Sequence, residues 1–223
     1  MSVSHDHAHG HRHDDGHRHP FQPDIEDRPF EYYQVMAEAV GELLIDKGVL
    51  SAAELRRAIE DLDSRNPALG ARVVARAWVD PAFKARLLDD VNAAAGELGI
   101  DAGSIPIRAV ENTARLHHVI CCTLCSCYPR LLLGVPPDWY KSRAYRSRVV
   151  REPRAVLAEF GTHLPADVEV RVHDSTADLR YIVLPMRPTG SEALAEAQLA
   201  ALVTRDCMIG TALPRLPDAP RQE

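Results

Sequence analysis

The chain has 223 residues, 46% of them hydrophobic and 26% charged, with a formal net charge of −6. That length suits one sizeable core with appendages, and the charge balance excludes a basic nucleic-acid surface. No stretch approaches the roughly 18 apolar residues of a membrane span, and the polar N-terminus has no apolar h-region, so a cytoplasmic protein is expected.

Residues 1–29 read as a disordered His-rich tail and linker. Seven of the eleven histidines (His5, His7, His9, His11, His13, His17 and His19) fall there among Asp and Gly. Such a stretch has almost nothing to bury. It is either a solvated tail or a gatherer of borderline divalent metals. Pro20 to Pro29 reads as extended chain.

Residues 30–100 read as a helical arm. From Phe30 to Lys47 the residues Tyr33, Met36, Val40, Leu43 and Leu44 recur at helical spacing, and Gly48 is the expected stop. Ser51 with Glu54 forms a capping box that opens a second helix to about Leu62. Leu69 to Trp78 is a third. Asp80-Pro81 places an N-cap before a proline and opens a fourth, expected to run to about Leu98.

Residues 101–215 read as an α+β core. Ile105–Val110 and Leu116–Ile120 are short β-rich runs. Pro136-Pro137 marks a loop, Trp139–Val150 a basic helix, and Arg151–Phe160 its continuation around Pro153. Val168, Val170 and Val172 alternate with Glu169, Arg171 and His173, as in a half-buried strand. Arg180–Met186 is expected to pair with that strand across the turn Asp174–Asp178. Ser191–Val203 reads as a final amphipathic helix and residues 216–223 as a flexible tail. Helices followed by a mixed sheet give an α+β class.

Of the five cysteines, Cys121, Cys122, Cys125 and Cys127 lie within seven residues, and Cys207 stands apart. A disulfide framework spreads its cysteines to close long loops, so this crowding points to metal or thiol chemistry. Cys122 and Cys125 span one tight turn, and Cys127 follows two residues on, so three thiolates can converge on one ion. The peptide nitrogens of Ser126 and Cys127 lie between bound sulfurs. A metal acidic enough to deprotonate them gains a planar base of two nitrogens and two sulfurs, an axial thiolate and one open position. Open positions mark catalytic rather than structural sites. Structural zinc and iron–sulfur clusters call for a fourth ligand, and His117 and His118 fall on an expected strand. Cys121 points the other way in an extended segment and reads as a small buried residue; Cys207 reads as core.

Residues 122–129, Cys-Thr-Leu-Cys-Ser-Cys-Tyr-Pro, resemble the metal-binding signature of nitrile hydratase α subunits, and Thr123 and Tyr128 match the cobalt form. The runs starting at Ala71 (Ala-Arg-Val-Val-Ala-Arg-Ala-Trp-Val-Asp-Pro), Leu133, Tyr145, Arg180 (Arg-Tyr-Ile-Val-Leu-Pro) and Val203 are similar to the same family. The resemblance implies a layered α-β-β-α core behind a helical arm that wraps a β-type partner subunit. It implies Co(III), with Fe(III) as the alternative, bound by Cys122, Cys125, Cys127 and the amides of Ser126 and Cys127. It also implies that Cys125 becomes a sulfinic acid and Cys127 a sulfenic acid, held by two arginines of the partner. A cobalt-insertion activator is a further implied partner. The implied reaction is hydration of a small nitrile to the amide, with Cys127, Cys125 and Ser126 at the reacting centre.

Arg130 departs from this pattern, because the hydratases mostly follow Tyr-Pro with Trp. Tyr-Pro-Arg and the His-Asp-rich start look more like the metal subunit of thiocyanate hydrolase, and a cation at the pocket suits an anionic substrate. A metal-storage or delivery protein is a third reading, resting on the tail alone. Tyr140, Arg146 and Arg148 are expected at a subunit interface, Arg205 and Asp206 in core-edge ion pairing, and His163 and His173 at the surface.

Overall fold

The computed structural model describes residues 32–125 and 127–217. The His-rich tail, its linker, Ser126 and residues 218–223 lie outside the described residues, and with them the expectations placed there. Among the described residues no helix is long and apolar enough to cross a membrane.

The first two helices, α1 (Tyr32–Asp46) and α2 (Ala52–Ser64), bury none of their residues. Gly48 ends α1's turn with φ +66°. The expected capping box is present: Ser51 Oγ accepts from the Glu54 amide at 3.2 Å, and the Glu54 carboxylate accepts from the Ser51 amide at 2.8 Å. Helix α3 (Pro67–Val79) begins on an Asn66 cap and is the first to enter the core, burying Val73, Val74 and Ala77. The single helix expected from Asp80 to Leu98 is two, α4 (Pro81–Asp89) and α5 (Val91–Glu97). Asp90 is the reason: its backbone is extended (φ −143°), and its side chain caps the new helix by accepting from the Ala93 amide at 3.0 Å.

Four strands follow: β1 (Ile107–Glu111), β2 (Leu116–Cys121), β3 (Glu169–Asp174) and β4 (Arg180–Leu184). The expected hairpin between the last two does not form. β1 pairs with β4 and β2 with β3, both in parallel. β2 is buried on nearly every residue, which marks an inner strand covered on both faces. A short turn closed by the Thr176 amide on the Leu179 carbonyl (2.8 Å) hands the chain from one sheet to the other. α4 and α5 pack on β1, the two sheets meet through β2 and β4, and α9 (Pro153–Glu159) packs on β3. The order is helix, sheet, sheet, helix around one apolar core.

The remaining helices are short: α6 (Arg130–Leu133), α7 (Asp138–Lys141), α8 (Arg143–Arg148), α10 (Glu196–Ala201) and α11 (Arg205–Ile209). The expected Trp139–Val150 helix breaks at Ser142, which has extended ψ and caps α8 through Oγ on the Tyr145 amide at 3.0 Å. α9 starts at Pro153 instead of continuing through it, because proline is accommodated in a first turn and not inside a helix. The final expected helix shortens to α10, and Thr204 caps a separate α11. Gly70 permits close packing here: a Cβ on it would lie 2.4 Å from Leu133 and 2.7 Å from Met208.

Candidate metal centre

The cysteine cluster lies in the loop between β2 and α6. Cys122 is buried at the end of β2, Cys125 is exposed on the turn, and Cys127 is partly covered. The Cys125 sulfur is 3.5 Å from that of Cys122 and 3.3 Å from that of Cys127. The Cys125 amide donates to Cys122 Sγ at 3.3 Å, which closes the turn. All three sulfurs fall within 4.8 Å of one another, the one such grouping of three among the described residues. Ser126, the fourth expected site residue, lies outside them. Cys121 (0% exposed) and Cys207 (1%) are buried apart from the cluster, as the sequence reading has them.

Side chains from three elements pin this loop. Asp174, at the end of β3, accepts from the Thr123 amide at 2.8 Å and from its hydroxyl at 2.5 Å. Tyr140 on α7 donates to the Cys127 carbonyl at 2.9 Å, and Tyr145 on α8 to the Ile120 carbonyl at 2.7 Å. Burial pushes both phenols well above their ordinary range, so both stay protonated donors. Tyr140 is therefore an internal strut, not the interface residue expected of it. Arg148 likewise pairs within its own chain, with Glu152 and Glu159, and Arg146 reaches the Thr123 carbonyl at 3.4 Å. Asp206 is buried, and Arg205 donates to the Val135 carbonyl at 3.1 Å. His163 is exposed as expected; His173 is half-buried instead, against His118.

Burial, with the neighbouring Cys125 and Cys122 thiols, pushes the Cys127 thiol up to about 12, while the positive charge of Arg180 acts the other way. Metal coordination deprotonates a thiol outright. The donor set is soft, suiting cobalt, iron or zinc rather than magnesium or calcium.

A cavity of ≈ 470 Å³ opens over the cluster, lined by Cys125, Cys127, Tyr128, Arg130, Lys141 and Arg180 with Val135 and Pro136. Arg180 Nη1 and the Tyr128 hydroxyl are buried with no hydrogen-bond partner among the described residues. The unmatched Arg180 donor, whose charge acts on Cys127, fits a negatively charged occupant at the sulfurs such as a metal–thiolate centre, whereas the Tyr128 phenol lies nearer Arg205 and Asp206. Arg180 and Lys141 were not singled out as site residues from the sequence. Arg180 opens one of the runs that carry the family resemblance, the only signal that could have found it.

A layered α-β-β-α core presenting three converging sulfurs under an open pocket defines a metal-dependent enzyme subunit. The chain belongs to the nitrile hydratase alpha chain family, whose profile matches residues 31–212. Over 192 residues, covering 85% of this chain and 93% of the relative, it is 48% identical to the low-molecular weight cobalt-containing nitrile hydratase subunit alpha of Rhodococcus rhodochrous. Two of the solved structures that share the fold illustrate the likeness. One, recombinant thiocyanate hydrolase comprising partially modified cobalt centres, has a TM-score of 0.78 at 40% identity, covering 87% of this chain and 100% of the other. The other, a double mutant of the Fe-type nitrile hydratase from Comamonas testosteroni Ni1 in which two adjacent histidines are replaced by alanine, has a TM-score of 0.77 at 42% identity, covering 86% and 96%.

Proposed function

We propose that this chain is the metal-carrying catalytic subunit of a cobalt nitrile hydratase, working in the cytoplasm with a β-type partner and supplied with metal by an insertion activator. The observation that carries the reading is the convergence of the Cys122, Cys125 and Cys127 sulfurs at an open pocket in a chain 48% identical to a cobalt-containing relative. Cys122, Cys125 and Cys127, with the amides of Ser126 and Cys127, would hold Co(III); Fe(III) is the alternative. When bound, the trivalent ion supplies Lewis-acid polarisation of a nitrile.

The chain's own residues do the rest. Asp174 and Tyr140 hold the loop from either side, so the sulfurs do not reorganise when a ligand arrives. Val135 and Pro136 offer an apolar wall for the organic group. Cys125 as a sulfinate and Cys127 as a sulfenate carry oxygens toward the pocket, where Arg180 and two arginines of the partner offset their charge. Water adds across the carbon–nitrogen triple bond: oxygen goes to carbon and two protons to nitrogen. The nucleophile is a pocket water that the Cys127 sulfenate deprotonates, or the sulfenate oxygen itself; in the second case the S–O bond breaks as the amide leaves, and attack of water on sulfur restores it.

A second reading, thiocyanate hydrolysis to carbonyl sulfide and ammonia, is favoured by the pocket's cations. Arg130, Lys141 and Arg180 all line it, and a cationic pocket concentrates an anion. Assay of the co-expressed complex on a nitrile panel and on thiocyanate separates the two. Amide production from nitriles is expected; turnover of thiocyanate with every nitrile inert would overturn the first reading.

A further inference from the structure

On β2, Val119 and Cys121 face the helix-side core, and His118 lies on the opposite face. In the parallel register His118 stands beside Arg171 and Ile120 beside His173. The two imidazoles meet across that register, with Nδ1 of His118 and Nε2 of His173 2.7 Å apart and ring centroids at 4.8 Å. One nitrogen must donate and the other accept, so the contact requires at least one neutral ring. The His173 ring also packs on Tyr181 of β4, 5.0 Å between centroids.

The three residues that end β3 and begin the next turn each tie it to β2 or to the metal loop. His173 bonds to His118, Asp174 clamps Thr123 through two hydrogen bonds, and the Ser175 amide donates to the Cys121 carbonyl at 2.8 Å. His173 and Asp174 are consecutive strand residues, so they act on opposite faces.

We propose that His118 and His173 are a positioning pair for the metal loop: their hydrogen bond fixes the end of β3 on β2, which sets Asp174 on Thr123. This rests on the reading that the loop holds a metal. The groups around the pair make it sensitive to acid. His118 is held down to about 4 by burial, then by the charges of His173, Arg171 and His117, with the Glu111 carbonyl opposing. His173 is lowered by burial and by Arg171, and Tyr181 faces it from β4. Both rings are thus favoured neutral in the folded chain. The clamp is complete above the ordinary histidine value of 6.5 and weakens as pH falls from there toward 4.

The test uses the metal-loaded complex with its partner, in wild-type form and as His173→Phe and His173→Gln. Release of metal to a chelator is followed from about pH 7.5 to 5, and deuterium uptake by the peptide spanning residues 119–125 is measured in parallel. Wild-type release should accelerate about tenfold across that range as the pair takes up a proton. The Phe variant should release quickly at neutral pH with a flat profile and exchange faster in the loop. Gln donates to His118 without titrating, so it should keep slow neutral release and lose at least half of the acid acceleration. A Phe variant that overlays wild type in both release and exchange would overturn the proposal. If the complex holds no metal, the metal reading fails on its own, and the exchange comparison still decides the pair.

Discussion

Each of the clustered cysteines occupies a different environment, and the differences predict how substitutions divide. Cys122, Cys125 and Cys127 place their sulfurs within 4.8 Å of one another, whereas Cys121 is buried in the apolar core. Replacing any of the three by alanine should remove a donor from a shared centre, so elemental analysis of the purified complex should find metal near zero and activity lost. Cys121→Ala should keep stoichiometric metal and cost only about 1 kcal/mol of stability; metal-free Cys121→Ala protein would put the ligand register out by one residue. This division was legible in the sequence because C-x-x-C-x-C is local: a tight turn fixes where the sulfurs go. What holds the loop was not legible. Asp174, Tyr140 and Arg180 lie 51, 13 and 53 residues from the positions they act on (Thr123, Cys127 and Cys127 in turn), and no periodicity announces such contacts.

At the scale of elements, caps were read well and interruptions were not. The Ser51–Glu54 box and the Asp80-Pro81 start follow from side chains that satisfy free amides at a helix start. Asp90 and Ser142 use the same chemistry in the middle of runs that look continuous, each ending one helix while capping the next. The strand pairing failed for a different reason. The turn length between β3 and β4 permits a hairpin, and only burial of β2 on both faces, a tertiary fact, sends each strand to a parallel partner. Gly70 is the helical glycine with the least room around it among the described residues. A methyl there meets the Leu133 side chain at 2.4 Å and the Met208 side chain at 2.7 Å, so both buried side chains must leave their packed positions. Gly70→Ala should cost about 1–3 kcal/mol despite its gain in helix propensity. Thermal melting that matched wild type would mean the two side chains yield more easily than close packing allows.

At the scale of the molecule, the described residues divide into a packed core and an arm, α1 and α2, with no buried residue. α1 and α2 bury nothing, yet they expose Tyr33 (71%), Val40 (49%) and Leu43 (50%). An apolar helix face left uncovered among the described residues is a liability in a free monomer and an asset in a heteromer. The core stands without it: α3 begins on its own Asn66 cap, and the backbone carbonyl of Arg65 lies 2.7 Å from where a Cβ on Gly134 would stand, so a truncation must stop before residue 65. Deleting residues 1–64 should therefore leave the chain's own unfolding transition within a few degrees of wild type, while the chain elutes alone from size exclusion when co-expressed with its partner. Activity should vanish with the complex, since the partner's arginines are part of the site in the reading above. A truncated chain that still co-elutes with its partner would move the interface onto the core, and a truncated chain that unfolds early would make the arm a structural part of this subunit instead of its hold on another.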